Sequence, residues 1–237
     1  MIEIVTHCFA GQLGHYAQHL KFQLTSLLDN PPPCPVRAVV CCCPADVVTM
    51  EVVRAFETPV APVVSMHFDL PWLGRRSIGR NAAALNTAAD LVWFCDVDHV
   101  FGPGCLASLW EQWRAMDPKP AMVWPHHIKI HRDHATGDAA TARAAGEMLA
   151  RIDPAEFVDK SYNRAIGGIQ IVAGDFARKW GYLPTGPYQE PRRDDRPFGD
   201  FRDDIAYRNF VKLHGEVRRI ELPNLFRIRH STKTHEG

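Results

Sequence analysis

Two carboxylates separated by a single residue, Asp96-Val97-Asp98, offer the plainest chemistry in the chain. In an extended segment they face the same side. Placed just past an apolar strand, such a pair can hold one hard divalent cation, Mg²⁺ or Mn²⁺, and bridge it to phosphate oxygens. A second acidic pair, Asp203-Asp204, opens a helical stretch that closes at Gly215. The helix dipole stabilises acids there, and a carboxylate held ionised near a hydroxyl can serve as general base. His230 lies in Arg227-Ile228-Arg229-His230-Ser231. Its imidazole can complete a carboxylate-bound metal, while Arg227, Arg229 and Lys233 can neutralise a diphosphate.

Arg75-Arg76-Ser77-Ile78-Gly79-Arg80-Asn81 opens an Ala-rich helix. Cations are disfavoured at that end, and a bound anion removes the conflict. The cluster His126, His127, His131 and His134 has the composition of a zinc site but no HExxH spacing, and reads as histidines on a solvated edge. The chain contains no GKS or GKT phosphate loop, no GxGxxG after its first strand and no GxSxG elbow. Those absences argue against ATPase, nicotinamide and serine-hydrolase chemistry.

The acids need elements to position them. Apolar runs at Ile2–Phe9, Val36–Cys43, Val60–Phe68 and Leu91–Cys95 read as strands. Helical periodicity over His15–Leu28, Ala45–Phe56 and Ser77–Ala89 fills the gaps. Four strand–helix alternations in the first hundred residues imply an α/β fold, with a mostly parallel sheet and helices on both faces. Ligands then bind beyond the strand C-termini, where Asp96 and Asp98 lie. Further on, helices are expected over Cys105–Met116, Ala139–Ile152, Asp175–Trp180 and Asp203–His214. Strands are expected over Ala121–Ile130, Gly167–Val172 and within Val217–Ile228. Residues 184–199 read as a flexible loop, with Gly186 to Gly199 a candidate lid.

The 237 residues suit one α/β domain, and 46% hydrophobic with 23% charged residues is ordinary globular composition. Seven cysteines, three of them consecutive at 41–43, suit reduced thiols and a cytoplasmic protein rather than a disulfide framework. No apolar run is long enough to span a bilayer, which leaves peripheral membrane contact open. The formal net charge is zero, which argues against a nucleic-acid partner without excluding it. That zero is uneven. From Ile205 onward seven basic residues stand against three acids, a net +4, so the first 204 residues carry −4.

Taken in order, these motifs resemble the GT-A fold glycosyltransferases, and within them the inverting family 2 enzymes. The likeness runs from Ile2 to Ser231. It rests on the Gly79-Arg80-Asn81 helix, the strand Leu91 to Asp98 ending in DxD, the segment Gly167 to Tyr182, and Asp203-Asp204 eleven residues before Gly215. It implies a single Rossmann-like GT-A domain over residues 1–237, with a nucleotide-sugar half (1–100) and an acceptor half (101–237). It also implies a nucleotide-diphosphate sugar donor, UDP-linked foremost, and Mn²⁺ or Mg²⁺ on Asp96 and Asp98 with His230 as a late contact. Arg76, Arg80, Asp96, Arg227 and Arg229 would hold the donor. A hydroxyl-bearing acceptor of unspecified class would lose its proton to Asp204, with Asp203 or Asp200 as the other candidate bases. The chain departs from the family pattern in two places. The first strand leads into Thr6-His7-Cys8-Phe9, and the second ends in Cys42-Cys43-Pro44, with Asp46 a partial substitute for the usual acids. A GT-A-like binding protein without turnover is therefore one alternative. A sugar nucleotidyltransferase is another, with Ala10-Gly11-Gln12-Leu13-Gly14 as its nucleotide loop.

Overall fold

The computed structural model describes residues 1–10, 15–57, 62–191 and 202–230. The strands are β1 (Ile2–His7), β2 (Val36–Cys42), β3 (Val63–His67), β4 (Leu91–Phe94), β5 (His99–Phe101), β6 (Met122–Pro125), β7 (His127–His131), β8 (Phe157–Ser161), β9 (Gln170–Ala173), β10 (Val217–Ile220) and β11 (Leu225–Arg227). The α-helices are α1 (His15–Asp29), α2 (Val47–Ala55), α3 (Leu70–Leu73), α4 (Arg76–Asn86), α5 (Cys105–Ala115), α6 (His134–Arg143), α7 (Gly174–Trp180) and α8 (Asp203–His214).

Seven strands form one sheet in the order β10-β6-β9-β4-β1-β2-β3. All run parallel except β9, which is antiparallel to both β4 and β6. The fold is thus α/β with a mostly parallel central sheet, as expected from the alternating pattern. Strands β1 and β4 sit at its centre, and their apolar side chains are almost wholly buried. Each such side chain contributes on the order of 1.5–3 kcal/mol. The strand order reverses beside β1, with β2 on one side and β4 on the other. The switch point thus lies between β1 and β4, and ligands of open α/β sheets bind beyond the strand C-termini at such a point. The consecutive cysteines lie at the end of β2, buried, and all seven cysteines are free thiols. Among the described residues no helix is long and apolar enough to cross a membrane.

A second sheet, β5-β11-β7-β8, packs beside the first. It explains the main departures from the sequence reading. The run Ala121–Ile130 is not one strand. Pro125 ends β6, and the chain passes from the large sheet to the small one at His126. Proline cannot donate to a ladder, so pairing stops there. The expected helix Ala139–Ile152 starts earlier instead, where Asp133 caps Thr136 N, and ends at Arg143. Strand β8 had no counterpart in the sequence reading: four of its five side chains are exposed, so it lacks an apolar signature. In the segment 184–199, residues Gly186–Gln189 form a 3₁₀ turn. Residues 192–199 of the candidate lid lie outside the described set, as do Asp200, Lys233 and 11–14 of the alternative nucleotide loop.

Candidate active site

Asp96 and Asp98 lie at the C-terminal end of β4, but not in an extended segment. His99 N donates to the Asp96 carbonyl at 3.2 Å, closing a tight turn into β5. Their side chains accordingly meet different partners. Arg76 Nη1 and Arg80 Nη2 both donate to Asp96 Oδ1, at 2.7 and 3.0 Å. Arg227 Nε donates to Asp98 Oδ2 at 2.9 Å, and Ile228 N donates to the Asp98 carbonyl at 2.8 Å. The C-terminal strand β11 is thereby tied to the turn across more than 125 residues of sequence. His99 Nδ1 lies 3.0 Å from Asp98 Oδ1 but off the line of a hydrogen bond, so Oδ1 is buried without one. Burial opposes ionisation of both acids. Arg76 and Arg80 outweigh it at Asp96, and Arg227 and His99 outweigh it at Asp98, whose carboxyl is held well below the usual range.

Helix α1 supplies the turn's floor. Gln23 Nε2 donates to the carbonyls of Asp96 (3.0 Å) and His99 (3.2 Å). Ser26 Oγ accepts from Phe101 N, and Asn30 Nδ2 donates to the Phe101 carbonyl at 3.1 Å. Buried main-chain groups need such partners, and residues 23, 26 and 30 recur at helical spacing. These residues were not among the sequence-based candidates. The signal available was a polar row on the face of α1 that also carries buried Leu20, Leu24 and Leu27.

Gly79-Arg80-Asn81 has a double structural use. Gly79 lies against His7, whose Nε2 is 2.3 Å from where a Cβ would stand. Arg80 is wholly buried, with Nη1 on the Tyr182 hydroxyl (3.1 Å) and Nη2 on Asp96. Asn81 Oδ1 accepts from Tyr182 N at 2.9 Å. Gly181 precedes it at φ +62°, and a Cβ there would stand 2.2 Å from Asn81 Oδ1, so glycine is required twice over. Arg80 was expected to face a diphosphate, but it instead lies beneath Asp96. Arg76, about a third exposed, is on the open side.

The second acidic pair approaches across two glycines. Gly167 faces Asp204, whose Cβ is 3.4 Å from a Cβ built on that glycine. Gly168 faces Asp96 Oδ2 (2.9 Å) and His99 Cε1 (2.4 Å) in the same construction. Trp93 Nε1 fixes the ledge by donating to the Gly168 carbonyl at 3.0 Å. Asp204 stands in the first turn of α8 with its carbonyl accepting from Gln170 Nε2 at 2.8 Å. Asp203 is buried, and its Oδ1 accepts from Asp204 N at 3.0 Å.

The His230 ring lies 5.1 Å from His19 and 5.4 Å from Tyr16, centroid to centroid, on the Asp98 side of the turn. Burial lowers its pKa against the pull of Asp98. Arg229 points away, to the Arg132 carbonyl at 3.2 Å. The four clustered histidines are separately engaged. His126 and His127 pair with the Tyr162 carbonyl and Glu221, His134 donates to the His230 carbonyl, and His131 stacks on Phe157. Asp46, the acid nearest the end of β2, accepts from Ala10 N at 2.7 Å and from the Thr49 hydroxyl at 2.6 Å while capping α2.

No family model matches the chain, and no curated protein matches it. Solved structures do match. The mannosyltransferase PcManGT from Pyrobaculum calidifontis, in complex with GDP-Man and Mn²⁺, aligns over 99% of this chain with a TM-score of 0.58 at 14% identity. TarS residues 1–349 from S. aureus align over 95% with a TM-score of 0.56 at 10% identity, and the same protein in complex with UDP gives 0.56 at 11%. This is the GT-A glycosyltransferase fold. The chain spans about three fifths of the length of those structures, with 58% and 60% of each covered.

Proposed function

We propose that the chain is a metal-dependent glycosyltransferase that moves a sugar from a nucleotide diphosphate to an acceptor hydroxyl with inversion. One observation carries the reading: the adjacent glycines Gly167 and Gly168 lie against Asp204 and Asp96 respectively, so one short segment brings the two acids together. A carboxylate for the donor side and a base for the acceptor are thus held against neighbouring residues of the same backbone, about 3.8 Å apart along the chain.

The donor set suits a hard divalent cation shared with phosphates. Among the described residues no three His, Cys, Asp or Glu side chains converge on one point. The residues that would contribute are Asp96 and Asp98, with His230 near Asp98 but not converging with them on one point, so a cation there would depend on the donor's phosphate oxygens for the rest of its ligands. When bound, Mn²⁺ or Mg²⁺ neutralises charge on the departing diphosphate. Arg76 lies on the open side of Asp96, where it can share that charge. Arg227 keeps Asp98 ionised for the cation. Asp204 takes the proton of the incoming hydroxyl, and Asp203 holds Asp204 N in place.

GDP-Man and UDP both occur in the neighbours' complexes, so the fold does not choose the base. The UDP-linked donor rests on the family resemblance, and Asp46 is committed to Ala10 and Thr49 rather than to a base. A thermal-shift panel of UDP- and GDP-sugars with and without Mn²⁺ tests binding, because a ligand of the folded state raises Tm. Asp96→Ala and Asp204→Asn are expected to lower transfer by at least about 10²-fold each while the chain still folds. Asp96→Ala should also abolish the Mn²⁺-dependent part of the Tm rise. Full turnover in EDTA, or in both variants, overturns the reading.

A further inference from the structure

The two acids are joined through side chains as well as through the Gly167-Gly168 segment. Arg80 Nη2 donates to Asp96 Oδ1 at 3.0 Å, and Arg80 Nη1 donates to the Tyr182 hydroxyl at 3.1 Å. That hydroxyl donates to Gln170 Oε1 at 3.4 Å, and Gln170 Nε2 donates to the Asp204 carbonyl at 2.8 Å. One arrangement of protons satisfies every link, running outward from the guanidinium to the Asp96 carboxylate on one side and through Tyr182 and Gln170 to the Asp204 carbonyl on the other. Arg80, Tyr182 and Gln170 are all buried, with no exposed surface. The low dielectric strengthens each bond and penalises any gap.

Packing holds the relay in line. Tyr182 is clamped at both ends by neighbouring residues of α4, its hydroxyl by Arg80 and its main-chain N by Asn81. Its ring packs against Tyr207 of α8 (centroids 4.0 Å apart) and Phe94 of β4 (4.8 Å). Those two elements carry Asp204 and lead into Asp96.

We propose that Tyr182 and Gln170 are positioning residues: their side chains set the separation between the donor-side turn and the first turn of α8. This rests on the glycosyltransferase reading above. Neither touches substrate in this scheme, and both act through the placement of Asp96 and Asp204. Misplacing a reacting group by about 1 Å can cost on the order of 10²-fold, so a loosened relay should show in kcat.

The experiment uses the full chain with Tyr182→Phe, which keeps the ring, Gln170→Glu, which keeps the acceptor for Tyr182 but loses the donor to Asp204, and the double variant. Each single variant is expected to lower kcat roughly tenfold or more with donor KM within about twofold. The double variant should be little worse than either, because both cut the same relay. Amide exchange should rise over residues 203–208 in all three. Unchanged kcat, a loss confined to KM, or additive losses overturn the relay. A wild type that turns over no nucleotide sugar overturns the functional reading instead. The relay is then judged by exchange alone, and unchanged protection at 203–208 in Tyr182→Phe overturns it.

Discussion

The two acidic sites are built to different tolerances. The Asp96–Asp98 turn is held from α1 by Gln23, from α4 by Arg76 and Arg80, and from β11 by Arg227 and Ile228 N. The start of α8 is held by Gln170 and by packing against Gly167, and its next turn by Arg208 Nη1 on the Ala165 carbonyl at 2.9 Å. A charged pair beside a diphosphate must be fixed before the ligand arrives, since electrostatic stabilisation depends on preorganisation. A base that meets a separate acceptor can be set by a single chain of bonds. On the proposed function, the difference separates a donor side held from three elements from an acceptor side held from fewer.

Neighbouring glycines give the sharpest way to break that comparison. In Gly168→Ala the new methyl meets His99 Cε1 at 2.4 Å and Asp96 Oδ2 at 2.9 Å. His99 is fully buried and cannot yield. Overpacking of this kind costs about 1–3 kcal/mol, and the displaced Asp96 should lower kcat by on the order of 10²-fold. Denaturant titration and steady-state kinetics read the two effects. Gln23→Leu is the next largest. It strips a donor from the Asp96 and His99 carbonyls, which should cost about 1–3 kcal/mol and weaken the Mn²⁺-dependent Tm rise. Wild-type stability in Gln23→Leu would mean that the turn is not held from α1.

The same contrast explains what could be read from sequence. The donor side is local: strand β4 runs into its acids, and parallel β1 to β4 alternate with helices, so period and order expose them. Arg227 was legible as a basic residue in a basic tail, but its pairing with Asp98 spans 129 residues and follows only from β11 lying beside β5. Gln23 was not legible as a site residue, because a polar side chain on a helix has no motif, and Tyr182 was legible only as the end of the Gly167–Tyr182 segment, not for its bond to Arg80. Their roles come from what tertiary packing places opposite them. The split of Ala121–Ile130 between two sheets was hidden for a related reason, since Pro125 interrupts pairing without interrupting the apolar run.

Acid should distinguish the two sides more gently. His19 on α1 is buried, its Nε2 lies 3.0 Å from the Thr141 hydroxyl, and burial lowers its pKa to about 3. Burial also lowers the pKa of His131 on β7. Both are neutral in the folded protein, while the unfolded chain takes up protons below about pH 6.5. Stability is therefore complete above that pH and falls as pH drops toward the folded values, by at most about 1.4 kcal/mol per pH unit for each histidine. With metal removed by EDTA, Tm should decline steadily from pH 6.5 to 5. Amide protection over α1 and α6 should fall before protection over α8. A flat Tm across that range would remove the buried histidines from the turn's support.

The smallest expected effect is the most discriminating. Gly167→Ala puts a methyl 3.4 Å from Asp204 Cβ and 3.7 Å from its Oδ2, which is ordinary van der Waals contact. Stability should stay within about 0.5 kcal/mol of wild type. Yet that methyl stands over the carboxylate that an acceptor hydroxyl must reach. Nucleotide-sugar binding by calorimetry should be unchanged, and the acceptor KM should rise several-fold. Adjacent glycines would then report opposite things, Gly168 the tightly packed Asp96 turn and Gly167 the looser contact with Asp204. If Gly167→Ala instead unfolds as readily as Gly168→Ala, the ledge is packed equally on both sides, and the acceptor cannot enter over Gly167.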